Sequence, residues 1–90
     1  AGSGTLVVMP NPLMDFARIE FVSPEMGNAV LDLYDLKGKF IRQLYNGNIH
    51  DGVKYEVNFT AYDLVEGPYI LRLTKPDGSV LTRKIVVFKY

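Results

Sequence analysis

Ninety residues make one domain, and a chain of this length buries roughly 60–65% of its unfolded surface, enough for a single core. Ten basic and ten acidic side chains cancel, which disfavours a nucleic-acid partner, and the lack of cysteine excludes disulfides and thiolate metal sites. No apolar run approaches the ~20 residues of a membrane-crossing helix and no signal peptide is visible, so any export signal is expected upstream of this chain.

Ala1-Gly2-Ser3-Gly4 reads as a linker or expression remnant, and residues 5–90 as the domain. Thr5–Met9 is a short β-branched, apolar run that predicts a first strand, ended by Pro10-Asn11-Pro12 because proline removes ladder donors. Ala17–Phe21 alternates, with Ala17, Ile19 and Phe21 on one face. After a turn at Ser23–Gly27, Ala29–Tyr34 puts Ala29, Leu31 and Leu33 on one side and Val30, Asp32 and Tyr34 on the other. Asp35–Lys39 is a turn around Gly38. Phe40–Tyr45 is strand-like, but Ile41 and Leu44 are three apart, and the slip predicts a bulge.

Asn46-Gly47 and Asp51-Gly52 carry turn chemistry and predict breaks. Val53–Phe59 alternates most cleanly, with Val53, Tyr55, Val57 and Phe59 expected inward. Thr60–Val65 is expected to cross between strands and drop Leu64 into the core. Tyr69–Thr74 and Ser79–Phe88 form a hairpin around Pro76-Asp77-Gly78, with Tyr69, Leu71 and Leu73 on one face. In the last strand the adjacent Arg83 and Lys84 place one charge on each face. Ile85–Phe88 is then apolar on both, a pattern that calls for a partner or a cover. No window keeps a helical period. About seven strands with regular turn signals describe an all-β, immunoglobulin-like antiparallel β-sandwich, with a small barrel as the alternative.

Chemistry is sparse. His50 lies in a polar turn without a nucleophile motif, the aspartates sit mostly at strand ends, and no calcium-loop pattern is present. Asn58-Phe59-Thr60 matches the glycosylation pattern, but Phe59 points inward. Of the aromatic residues, Phe21, Tyr55, Phe59 and Tyr69 are expected in the core, leaving Tyr34, Tyr45 and Tyr62 as the candidates for a carbohydrate platform.

Four segments in fixed order carry a family resemblance. Pro10-Asn11-Pro12 is similar to a "P-N-P" opening, and Tyr34-Asp35-Leu36-Lys37-Gly38-Lys39 to "Y-D-L-x-G-[RK]". Gly67-Pro68-Tyr69-Ile70-Leu71-Arg72-Leu73 is similar to "G-x-Y-x-x-R-L", with Pro68 at a position that usually varies more widely. Gly78–Val87 resembles the closing "G-x-x-x-T-x-K-[IVL]-[IV]-[IV]" run. Together they resemble the type A C-terminal sorting domain of type IX (Por) secretion substrates, over about residues 9–90.

The resemblance implies an address label with no catalytic residue, metal or cofactor. It implies an upstream cargo on the same chain, exported through the periplasm and outer membrane of a diderm bacterium and then secreted or displayed at the surface. The implied partners are the type IX translocon, its outer-membrane shuttle, and a sortase that cuts at or before the segment ahead of Thr5. Some components of the secretion machine keep such a domain. The residues it nominates for partner recognition are Gly67, Tyr69, Arg72, Arg83, Lys84, Ile85, Val86, Val87, Phe88 and Lys89. Physically, the edge of Ser79–Phe88 is where another chain can add, and an exposed terminal strand also allows edge-strand dimers. Two other readings stand beside it: a structural immunoglobulin-like accessory domain of the hook-capping kind, and a carbohydrate-binding module. A sorting label must end its protein, so whether Tyr90 is the natural C-terminus separates the first pair.

Overall fold

Alternation along the chain is converted directly into two faces per strand. The computed structural model describes residues 4–89; the first three residues of the expected linker at Ala1–Gly4, and the final Tyr90, lie outside the described residues. Seven strands form: β1 (Thr5–Met9), β2 (Phe16–Val22), β3 (Gly27–Asp35), β4 (Phe40–Ile49), β5 (Lys54–Thr60), β6 (Gly67–Thr74) and β7 (Val80–Val87). They make two antiparallel sheets, ordered β1-β2-β5 and β4-β3-β6-β7, and no helix is present among the described residues. Two open sheets packed face to face are an immunoglobulin-like sandwich, so the barrel alternative falls.

The core lies between the sheets. Leu6, Ile19, Phe21 and Phe59 from the first sheet meet Leu31, Leu33, Leu71, Leu73, Ile85 and Val87 from the second, all fully buried. Leu64 is buried as its position in the crossing segment predicts. Next to it the Tyr69 hydroxyl donates to the Val65 carbonyl at 2.6 Å. A tyrosine at the start of the sixth strand, bonding back to the chain just upstream, is the corner that fixes this crossing in immunoglobulin-like sandwiches.

Three local expectations are corrected. Asn46-Gly47 does not turn: β4 runs through it to Ile49, because β3 offers paired positions as far as Gly27 and ladder pairing outweighs local turn preference. Val53 is exposed and precedes β5, and Tyr55 and Val57 are only half-buried, because the rim of the sandwich covers this strand's inner face incompletely. The slip in β4 is two irregularities rather than one: the pairing with β3 skips Leu44 and again Ile41. Each extra residue is apolar and packs against the core.

After β1 the chain leaves the first sheet, and Leu13 makes a parallel bridge to Val87 of β7 in the second. A single N-terminal segment therefore serves both sheets, and Leu13 is fully buried where it crosses.

Candidate functional site

The four motif segments have distinct structural tasks. In the β3–β4 turn, the Asp35 carboxylate accepts from the N–H groups of Lys37 and Lys39, both at 2.9 Å, while Gly38 adopts φ 86°. Gly67 opens β6 with φ 145°, a backbone state that side chains rarely adopt. Pro68 stands opposite Val86, whose own backbone groups turn away to the edge, so no β6–β7 bond is forfeited by its missing N–H.

Asn11 imitates a strand. Its Nδ2 donates to the Lys84 carbonyl at 3.0 Å, and its Oδ1 accepts from the Val86 N–H at 3.1 Å. The backbone continues the pattern: Leu13 N–H donates to the Val86 carbonyl at 2.9 Å, and Phe88 N–H to the Leu13 carbonyl at 3.0 Å. From Lys84 to Val87 the strand is held on one side by β6 and on the other by this strap. On the faces, Ile85 and Val87 are buried in the core and Val86 is half-buried, while Phe88 stays exposed.

These bonds reveal which way β7 faces. The groups reached by the strap belong to Lys84, Val86 and Phe88, and strand geometry turns alternate residues the same way. Val80 and Thr82 therefore present their N–H and C=O groups to the same edge, ahead of the strap. Among the described residues, only the Thr82 carbonyl is engaged there, by Arg83 Nη1 at 2.9 Å.

The ten nominated residues divide accordingly. Tyr69, Ile85 and Val87 are buried packing residues, and Gly67 shapes the entry to β6. Lys89 is tied down, its N–H donating to Glu66 Oε1 at 2.8 Å and its Nζ to the Ala61 carbonyl at 2.7 Å. Val86 is half-buried, leaving Arg72, Arg83, Lys84 and Phe88 as exposed side chains. Arg72 stands over the Tyr34 ring, 6.0 Å from its centroid. Arg83 lies opposite Leu71, on the core-facing side at the rim, and Lys84 opposite Ile70 on the outer face.

Two shallow depressions collect motif residues. One, of about 260 Å³, is lined by Tyr34, Asp35, Leu36, Gly38, Ile70 and Arg72, so the second and third segments meet there. The other, of about 270 Å³, brings Pro10 and Pro12 against Phe88 and Phe16. No group of three or more His, Cys, Asp or Glu side chains is arranged to hold a metal among the described residues. His50 is exposed, and its backbone N–H donates to the Tyr55 hydroxyl at 2.8 Å. The candidate carbohydrate rings lie on different elements: Tyr45 packs edge-on against Phe21, Tyr34 packs against Phe40, and Tyr62 is exposed beyond β5.

Two packed antiparallel sheets, with the motif residues spent mainly on turns, corners and straps, define a small immunoglobulin-like sandwich domain. The family model of the secretion system C-terminal sorting domain matches residues 7–88, and the chain belongs to that family, the sorting signal of type IX secretion. No curated protein matches the chain. Among solved structures it is similar to dimeric latent PorU from Porphyromonas gingivalis, with a TM-score of 0.77 at 18% identity. That likeness covers 97% of this chain but 9% of the other, and concerns the fold alone. Membership implies export to the cell surface or the medium.

Proposed function

We propose that this domain is a non-catalytic label, recognised as a folded unit by the type IX translocon and its outer-membrane shuttle. In this reading a sortase then removes it from an upstream cargo at or before the segment ahead of Thr5. The supporting observation is the family match across residues 7–88. Recognition falls on the nominated residues whose side chains are exposed, Arg72, Arg83, Lys84 and Phe88, displayed on a scaffold set by Gly67, Tyr69, Ile85, Val86, Val87 and Lys89.

The test attaches residues 5–90 to the end of a reporter in a bacterium with a type IX system, and follows the reporter by surface proteolysis and fractionation. Surface delivery that is lost on Arg83→Glu with Lys84→Glu, while the purified variant keeps its unfolding midpoint, supports both label and readout. Periplasmic retention of the unaltered fusion sinks the reading. Removing Val87–Tyr90 is not a clean test, since Val87 is fully buried and its loss would also destabilise the sandwich.

A further inference from the structure

The outer strands of a sheet are where a partner backbone can join, and the four-stranded sheet has two, β4 and β7. β4 is interrupted at Ile41 and Leu44, which breaks the regular spacing that an added strand needs. β7 pairs with β6 without interruption from Val80 to Val87. Its second half is occupied by Asn11 and Leu13, which leaves the first half.

We propose that Val80–Lys84 is a docking edge for an extended segment of a partner protein carrying two adjacent acidic residues. The open groups are the N–H and C=O of Val80 and the N–H groups of Thr82 and Lys84. None has a partner from another part of the described chain. Charge then selects the occupant. Arg83 and Lys84 are exposed, on opposite sides of the strand, and neither forms an ion pair among the described residues. Successive residues of an added strand also alternate sides, so a consecutive acidic pair meets both cations at once. The neighbouring positions would face Leu81, half-buried, and Val80, exposed, which suits β-branched or apolar side chains there.

The strap sets the register by blocking the edge beyond Lys84. Arg83 adds a gate: its guanidinium holds the Thr82 carbonyl until an incoming acid draws it away. A second copy of this chain is a poor occupant, because pairing two such edges brings four cations together without an acid between them.

The inference names the chemistry of the partner, and rests on the sorting reading only for which protein supplies the segment. It is tested in solution with the 90-residue chain and two hexapeptides, one with adjacent glutamates followed by threonine and valines, the other with lysines in place of the glutamates. Amide spectra and hydrogen exchange are recorded up to millimolar peptide. The expected result is that the acidic peptide alone shifts and protects Val80–Lys84, with Thr82 N–H slowed most. Thr82→Pro removes that outward donor without touching the β6 ladder, and should abolish binding while other shifts stay in place. Arg83→Glu with Lys84→Glu should weaken the acidic peptide about tenfold, the worth of two exposed ion pairs. The proposal is overturned if neither peptide binds, if the lysine peptide binds equally well, if binding survives Thr82→Pro, or if the chain pairs with itself through this edge in sedimentation. Each outcome is separable from reporter export, which is read in cells.

Discussion

The two edges of the four-stranded sheet use the same residue to different ends. On β4, Arg42 lies opposite Leu33 and reaches across the sandwich. Its Nη1 donates to the Thr60 carbonyl at 2.9 Å, its Nη2 to Asp63 Oδ1 at 2.7 Å, and its guanidinium sits 5.6 Å from the Phe59 ring centroid. On β7, Arg83 holds the matching position opposite Leu71, but reaches only the carbonyl of Thr82 beside it. An inward-pointing charge on an outer strand is a known defence against unwanted pairing. With a partner on the other sheet it locks the rim; without one it remains available. The lesson is that edge protection here is graded: β4 is closed by bulges and Arg42, the second half of β7 by the strap, and the first half hardly at all.

Asn11→Ala removes two side-chain bonds to β7 and leaves the Val86 N–H without its partner, which should cost about 1–3 kcal/mol. The open edge should then extend from Lys84 to Val86, seen as faster exchange of the Val86 amide along with a lower denaturant midpoint. Asn11→Asp keeps the acceptor for Val86 but loses the donor to Lys84, and should fall between. An unchanged Val86 exchange rate in Asn11→Ala would mean that Leu13 alone covers the edge.

Arg42→Ala should cost about 1–2 kcal/mol, from the Thr60 bond and the ring contact, whereas Arg83→Ala should stay within ~0.5 kcal/mol. Equal losses in urea unfolding would show that both edges are closed alike, and the contrast would fail.

Much of this frame was legible from period alone. Ala29, Leu31 and Leu33, or Tyr69, Leu71 and Leu73, alternate because a half-buried strand shows its core face at every second residue, and all six are buried. The slip at Ile41 and Leu44 was legible for the same reason. Long-range partners left no such trace. Asn11 looks like turn chemistry between two prolines, and nothing local says that its amide bridges Lys84 and Val86, more than seventy positions away. Asn46-Gly47 looks like a turn because local preference is blind to the β3 partner that overrides it. The motif residues suffered most: Tyr69 and Gly67 stand out in a sequence whether they serve recognition or a corner, and only burial and bonding tell these apart.

Acid titration probes the same two edges. The Arg42 guanidinium, hydrogen-bonded to the Asp63 carboxylate, holds that group below the ordinary aspartate value of 3.8. Asp77, in the turn that leads into β7, is also held below 3.8, chiefly by the Ser79 hydroxyl at 2.6 Å and then by the Ser79 N–H at 2.9 Å. In each case the folded state favours the carboxylate, so the contribution to stability is present above the unfolded value and is lost as the pH falls through the folded one. Both groups are at the surface, so the effect is a slight steepening of unfolding below about pH 4, weakened by salt. The edges separate the two carboxylates. Arg42→Ala should return Asp63 toward its ordinary value and flatten its share of the acid limb. Arg83→Ala should leave Asp77 where it is, because a serine and not the arginine holds it down. Carboxyl shifts followed by NMR between pH 2 and pH 6, roughly two units either side of an ordinary aspartate, distinguish the cases. If Asp77 moves with Arg83, the arginine on the open edge is already spent within the domain, and the first half of β7 is less free than its backbone suggests.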